Sequence, residues 1–158
     1  ELVDIIPEFN LYEEFWRIYT KSDQLPPQYI DPEGSVTESI VGEATEVYGT
    51  VQHSVIGSGV TIGKGAVIKN SIIMNGAVIG IAEGVHIGDN AELGVGEEVP
   101  NELAPHIYSY GLVTIGENSV IPAGVKIGKN VAIFGETTID EYPDGLLKSG
   151  SSIIKAGE

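Results

Sequence analysis

The amino-acid sequence predicts a mainly β chain wound as a three-sided parallel solenoid, and three observations carry that expectation. Branched aliphatic residues recur every sixth position: Ile56, Ile62 and Ile68, then Ile81, Ile87 and Leu93, then Ile115, Ile121, Ile127 and Ile133. Several repeats share one wording, as in Ile56-Gly-Ser-Gly-Val60, Ile62-Gly-Lys-Gly-Ala66, Ile115-Gly-Glu-Asn-Ser119 and Ile127-Gly-Lys-Asn-Val131, with a small or branched apolar residue four places on. Glycine, at 21 of 158 residues, is well above its usual share of about 7% and is spread through the repeats, so it marks corners rather than a linker. A period of six is neither helical nor a simple strand alternation, so the chain must turn at every repeat.

The first 35 residues stand outside this period and read as an interdomain helix and an extended linker. Asn10-Leu11-Tyr12-Glu13 has the spacing of a capping box and predicts a short helix over about residues 11–19. Its Leu11, Phe15 and Ile18, with Tyr12, Trp16 and Tyr19 one position round, make an apolar face wide enough to need a covering surface. Pro26-Pro27 forbids helix and enforces an extended entry into Tyr29-Ile30.

The solenoid is expected over 36–158. Val36-Thr-Glu-Ser39-Ile40-Val41, Val51-Gln-His-Ser54-Val55-Ile56 and Ile68-Lys-Asn-Ser71-Ile72-Ile73 each shorten the step between inward aliphatics to five, a tightened corner whose serine hydroxyl can bond its own backbone. The register runs on through Ile79 and then jumps by two to Ile81, so either the coil breaks near Gly80 or residues are missing there. Residues 96–111, with two prolines and no ladder, are expected to leave the coil as a loop, and 136–158 read as short extended pieces around Pro143-Asp-Gly145 and Ser149-Gly150. Roughly 85 ladder residues at about eighteen per coil give four to five coils, a rod of about 20 Å at the spacing of parallel strands.

A formal net charge of −15 would repel nucleic acid and an anionic membrane alike. The lack of cysteine excludes disulfides and thiolate chemistry, and no stretch has the length and hydropathy of a membrane span or signal peptide. A cytoplasmic protein is expected, and the opening at Glu1 suggests a piece of a longer one. Lys64 and Lys129 occupy equivalent places in their hexads and Lys69 and Lys126 can lie near them on other coils, which makes a basic patch for an anionic effector or, equally, ordinary exposed lysines. His53, His86 and His106 lack the spacing of a metal set, and Gly57-Ser-Gly59 and Gly63-Lys-Gly65 lack the strand-then-helix setting of a phosphate loop. No catalytic or metal-binding residue is therefore expected here.

The ladder resembles the hexapeptide-repeat, left-handed parallel β-helix, a fold shared by acyltransferases, sugar nucleotidyltransferases and γ-class carbonic anhydrases, so the fold alone leaves function open. The flanks resemble one family more closely. Ile5-Ile6-Pro7-Glu8-Phe9-Asn10-Leu11-Tyr12-Glu13-Glu14-Phe15-Trp16 and Leu25-Pro26-Pro27-Gln28-Tyr29-Ile30 are similar to the domain junction of bacterial glucose-1-phosphate adenylyltransferase (ADP-glucose pyrophosphorylase), as are Val47-Tyr48-Gly49, Ser71-Ile72-Ile73-Met74 and the stretch Tyr108 to Pro122. The resemblance implies the C-terminal regulatory and assembly domain of an enzyme of glycogen synthesis. Such an enzyme makes ADP-glucose and pyrophosphate from ATP and glucose 1-phosphate with Mg²⁺, as a homo- or hetero-tetramer answering to sugar-phosphate or nucleotide effectors. Its catalytic N-terminal nucleotidyltransferase domain is absent from this sequence, so the fragment alone is expected to be inactive. The family's basic effector-linked residue ahead of Ile81-Ala-Glu-Gly84 falls at the register jump, and Ser109 stands where plant relatives carry an activator-linked lysine, which implies weak activation by anions. A hexapeptide-class acyltransferase and a non-catalytic regulatory paralogue subunit are the alternatives.

Overall fold

The computed structural model describes residues 2–4, 8, 11, 14–15, 24–76, 85–88 and 90–155; the helix expected over 11–19 and the register jump at Ile79 to Ile81 fall largely or wholly outside them. The described chain is almost entirely short parallel strands. The first coil is β1 (Tyr29–Ile30), β2 (Ser35–Thr37) and β3 (Ile40–Val41), the second β4 (Glu46–Val47), β5 (Thr50–Gln52) and β6 (Val55–Ile56). The third is β7 (Val60–Ile62), β8 (Val67–Lys69) and β9 (Ser71–Ile73), the fourth β10 (Val85–Ile87), β11 (Glu92–Val95) and β12 (Val113–Ile115). The fifth is β13 (Val120–Ile121), β14 (Lys126–Gly128) and β15 (Val131–Phe134), and a sixth ends in β16 (Leu146–Leu147) and β17 (Ser152–Ile154).

Each third strand joins the same face: β1-β4-β7-β10-β13 form sheet A, β2-β5-β8-β11-β14-β16 sheet B and β3-β6-β9-β12-β15-β17 sheet C. The stack is the parallel β-helix that the six-residue period predicts, with six coils rather than four to five. The undercount has two sources. Tyr29–Ile30 already lies in the stack, ahead of residue 36 where the hexads become legible, and the last coil winds through residues after Ile133 where the period fades.

Interior columns explain the period. Val47, Ile62, Ile87 and Ile121 stack in sheet A, Val51, Ile68, Leu93, Ile127 and Leu147 in sheet B, and Ile56, Ile73, Ile115 and Ile133 in sheet C, all of them buried. Each buried branched side chain contributes about 1.5–3 kcal/mol relative to exposure. Coil length varies through the corners: Ile115 and Ile133 face each other eighteen residues apart, but Val51 and Ile68 only seventeen and Val36 and Val51 fifteen.

The tightened corner works as its residue types suggest. Ser39, Ser54 and Ser71 donate their hydroxyls to the carbonyls of Thr37, Gln52 and Lys69, at 2.7, 2.8 and 2.7 Å. The Ser39 hydroxyl also accepts the Ser54 amide at 3.1 Å and the Ser54 hydroxyl the Ser71 amide at 3.2 Å, so the corner passes from coil to coil. The residue before each serine, Glu38, His53 or Asn70, takes a left-handed φ of 46°, 49° or 46°. Asparagine tolerates that conformation better than glutamate or histidine. At Gly49 space rather than φ decides, since a Cβ there would stand 2.4 Å from the Ala66 carbonyl oxygen of the coil above.

The C-terminal end closes with a buried aromatic. Residues 137–142 replace a strand on the sheet A side of the sixth coil, with the Thr137 amide on the Val120 carbonyl at 3.0 Å. Thr137 Oγ1 donates to the same carbonyl at 2.6 Å, so the buried Tyr142 hydroxyl, 2.7 Å away, donates to Thr137. Burial pushes the Tyr142 phenol up to about 12 from its ordinary 10.0, against a lowering hydrogen bond from Thr137 and with a small raising contribution from Glu141. The neutral form is the one the fold holds, so its contribution is whole below pH 10 and is lost as pH climbs to about 12. Tyr142→Phe is expected to cost about 1 kcal/mol at neutral pH and to flatten the fall in stability across that alkaline window. Urea unfolding of both proteins at neutral pH and through the window checks this, and an equal alkaline slope in the two would refute it.

Candidate functional site

The outward face of sheet B is where the sequence places its candidate effector lysines, and the strand register distributes them along it. Outward and inward residues alternate on each strand. Lys69 ends β8 beside Gln52 of β5, while Lys126 begins β14 in a different column, above Val67 and Glu92. Two coil spacings, about 9.6 Å, separate them along the axis. Glu92 lies between and its carboxylate meets Lys126 Nζ at 3.3 Å, with both side chains substantially exposed. Lys64 sits at the corner before sheet B, its carbonyl accepting the Asn90 amide at 2.8 Å. Lys129 sits at the corner after it, its carbonyl accepting the Gly150 amide at 2.8 Å and its own amide donating to Ser149 Oγ at 3.0 Å. The face gathers Lys69 and Lys126 and the corners flank it with the other two, but the four do not converge on one point. Lys148, exposed just after β16 in the sixth coil, joins the same side; the fading of the period after Ile133 hid it from sequence reading.

The histidines are scattered. His53 occupies its left-handed corner with Nδ1 3.8 Å from Glu38 Oε2, His86 belongs to β10, and His106 is exposed on the loop between β11 and β12. Among the described residues no three His, Cys, Asp or Glu side chains are arranged to hold a metal ion.

The loop over residues 96–111 is pinned, and sequence reading missed the residues that pin it. Asn101 is 2% exposed. Its amide nitrogen donates to the Asn130 carbonyl at 2.8 Å, the Ser151 carbonyl at 3.3 Å and Ser152 Oγ at 2.8 Å, while its oxygen accepts the amides of Leu103 and Ala104, each at 2.9 Å. Asn130, buried in a left-handed corner, accepts the Gly111 amide at 2.8 Å and donates to the Val99 carbonyl at 2.8 Å. The loop is thus folded onto the outside of sheet C over the fifth and sixth coils, where the outward-facing Ala132 is fully buried. Its tip turns the other way: Leu103, Ile107 and Tyr110 are 64%, 74% and 88% exposed. An apolar tip on an anchored loop is suited to contact with another protein surface. Nearer the first coil the outward column of sheet C is also apolar, with Ile40, Val55 and the exposed Ile72 in register.

A stack of six parallel coils with hexad-start aliphatics inside, glycine and asparagine at the corners and no assembled catalytic group defines a hexapeptide-repeat β-helix domain. Residues 27–101 match the family described as GlmU-like, C-terminal hexapeptide. Over its whole length the chain is 60% identical, across 167 aligned residues, to the glucose-1-phosphate adenylyltransferase of Lachnospira eligens, and 43% identical across 167 to that of Acetivibrio thermocellus. It is 44% identical over 98% of its length to that of Thermotoga maritima. The chain spans about two fifths of these relatives' length, at 40%, 39% and 38%. It belongs to the hexapeptide-repeat family as the counterpart of the C-terminal domain of glucose-1-phosphate adenylyltransferases.

Proposed function

We propose that the chain is the regulatory and assembly domain of an enzyme that makes ADP-glucose and pyrophosphate from ATP and glucose 1-phosphate in the cytoplasm, the nucleotide, the sugar phosphate and Mg²⁺ being bound by a separate N-terminal catalytic domain. The observation that carries this reading is the 60% identity maintained over the full chain with one such enzyme. The exposed Leu103, Ile107 and Tyr110 supply a docking surface for that domain or for neighbouring subunits of a tetramer. The outward face of sheet B, with Lys69 and Lys126 between Lys64 and Lys129, supplies the positive charge for an anionic sugar-phosphate or nucleotide effector. No helix among the described residues is long and apolar enough to cross a membrane.

The test is a chimera in which residues 1–158 replace the matching part of the L. eligens enzyme. It is expected to release pyrophosphate from ATP and glucose 1-phosphate and to assemble as the parent enzyme does. A folded chimera without turnover, beside an active parent, would overturn the reading. Charge removal at Lys69 and Lys129, which enter none of the described ion pairs, is expected to weaken the response to added sugar bisphosphate or AMP while basal turnover stays unchanged.

A further inference from the structure

The corner between β9 and β10 breaks a rule kept by the corner beneath it. In the coil below, Ile56 is followed six residues later by Ile62, through Gly57-Ser58-Gly59-Val60-Thr61. Directly above, Ile73 stacks on Ile56 and Ile87 on Ile62, yet they are fourteen residues apart. The flanks nonetheless keep the ordinary corner. Asn75 Oδ1 accepts the Ser58 amide at 2.9 Å. The Gly76 amide donates to the Ser58 carbonyl at 2.8 Å, just as the Gly59 amide donates to the Glu43 carbonyl at 2.9 Å. Val85 is the register partner of Val60. Gly76 and Val85 therefore hold successive places of one hexad, Ile73-Met74-Asn75-Gly76-Val85-His86-Ile87, and the eight residues 77–84 are surplus to the coil.

That surplus has a matching deficit. The chain of 158 residues aligns with the L. eligens relative across 167, so at least nine of the relative's positions have no counterpart here. Eight and nine together make seventeen, the separation of Val51 and Ile68 on adjacent coils. The sequence shows where the nine belong. Ile79 lies six residues after Ile73, and Ile81 lies six before Ile87, so each keeps the register of its own flank, but only two positions separate them. Nine more residues would widen that step to eleven, the separation of Ile62 and Ile73, which is one six-residue side followed by one tightened five-residue side. A seventh coil would then be complete.

We propose that residues 77–84 are the two ends of a further coil whose middle nine residues this chain lacks, joined at Gly80–Ile81, and that the Gly76–Val85 corner is a seam at which whole coils are gained or lost without disturbing the stack. Two variants test it. Inserting the relative's nine unmatched residues between Gly80 and Ile81 completes the coil and is expected to raise the melting temperature by several degrees, with a gain of slowly exchanging amides. Deleting residues 77–84 restores a plain hexad and is expected to keep the parent's β-sheet circular dichroism and a melting temperature within about 3 °C of it. An insertion that adds no protected amides, or a deletion that abolishes the fold, would overturn the proposal.

Discussion

Ile62→Ala is expected to lower the unfolding free energy by about 2–5 kcal/mol, the range for emptying a fully enclosed aliphatic site. Ile62 has no exposure and sits mid-column in sheet A, between Val47 below and Ile87 above. In a stacked fold a coil contacts little beyond its two neighbours, so the cavity weakens both interfaces at once and nothing distant can close it. Thr61→Ala, on the same strand but facing outward, is the control and should change stability by no more than about 0.5 kcal/mol. Urea unfolding of the three proteins decides; equal losses in the two variants would mean that the column carries no special share of stability.

Asn101→Ala should rank next, at a loss of about 2–3 kcal/mol. The substitution strips hydrogen-bond partners from the Leu103 and Ala104 amides and from the Asn130 carbonyl, all at a site nearly closed to water. Its signature is local as well as global. Exchange at the Leu103, Ala104 and Gly111 amides should quicken, and proteinase K should cut within residues 96–111 before the rest of the chain. Unchanged exchange at those amides would show that the loop is held by something other than Asn101.

These two sites mark what the sequence did and did not disclose. Ile62 is legible because a hexad start has one physical use: its branched side chain must face inward whenever the chain turns every six residues, so periodicity alone assigns it. The serine corners are legible for a similar reason, since their hydroxyls bond a carbonyl only two residues away. Asn101 is not, because its partners Asn130 and Ser152 lie 29 and 51 residues along the chain and come together only once the coils have stacked. The sixth coil escaped for a different reason. Tyr142 fills its interior from a short turn rather than from a hexad start, so no repeat announces it. The lysines illustrate a third case: equivalent places in a hexad put Lys64 and Lys129 at corners, but the register sends them to opposite edges of one face.

Because every sheet runs across the stack, the hydrogen bonds between coils point along its long axis. A pull on the two chain ends would therefore load these bonds one coil at a time, like thread leaving a spool. Each turn of fifteen to eighteen residues would pay out roughly 50–60 Å of extended chain before the next came under tension. The turn that carries residues 96–111 would yield a visibly longer stretch, and the knot of Asn101 and Asn130 would be the point where that unreeling stalls.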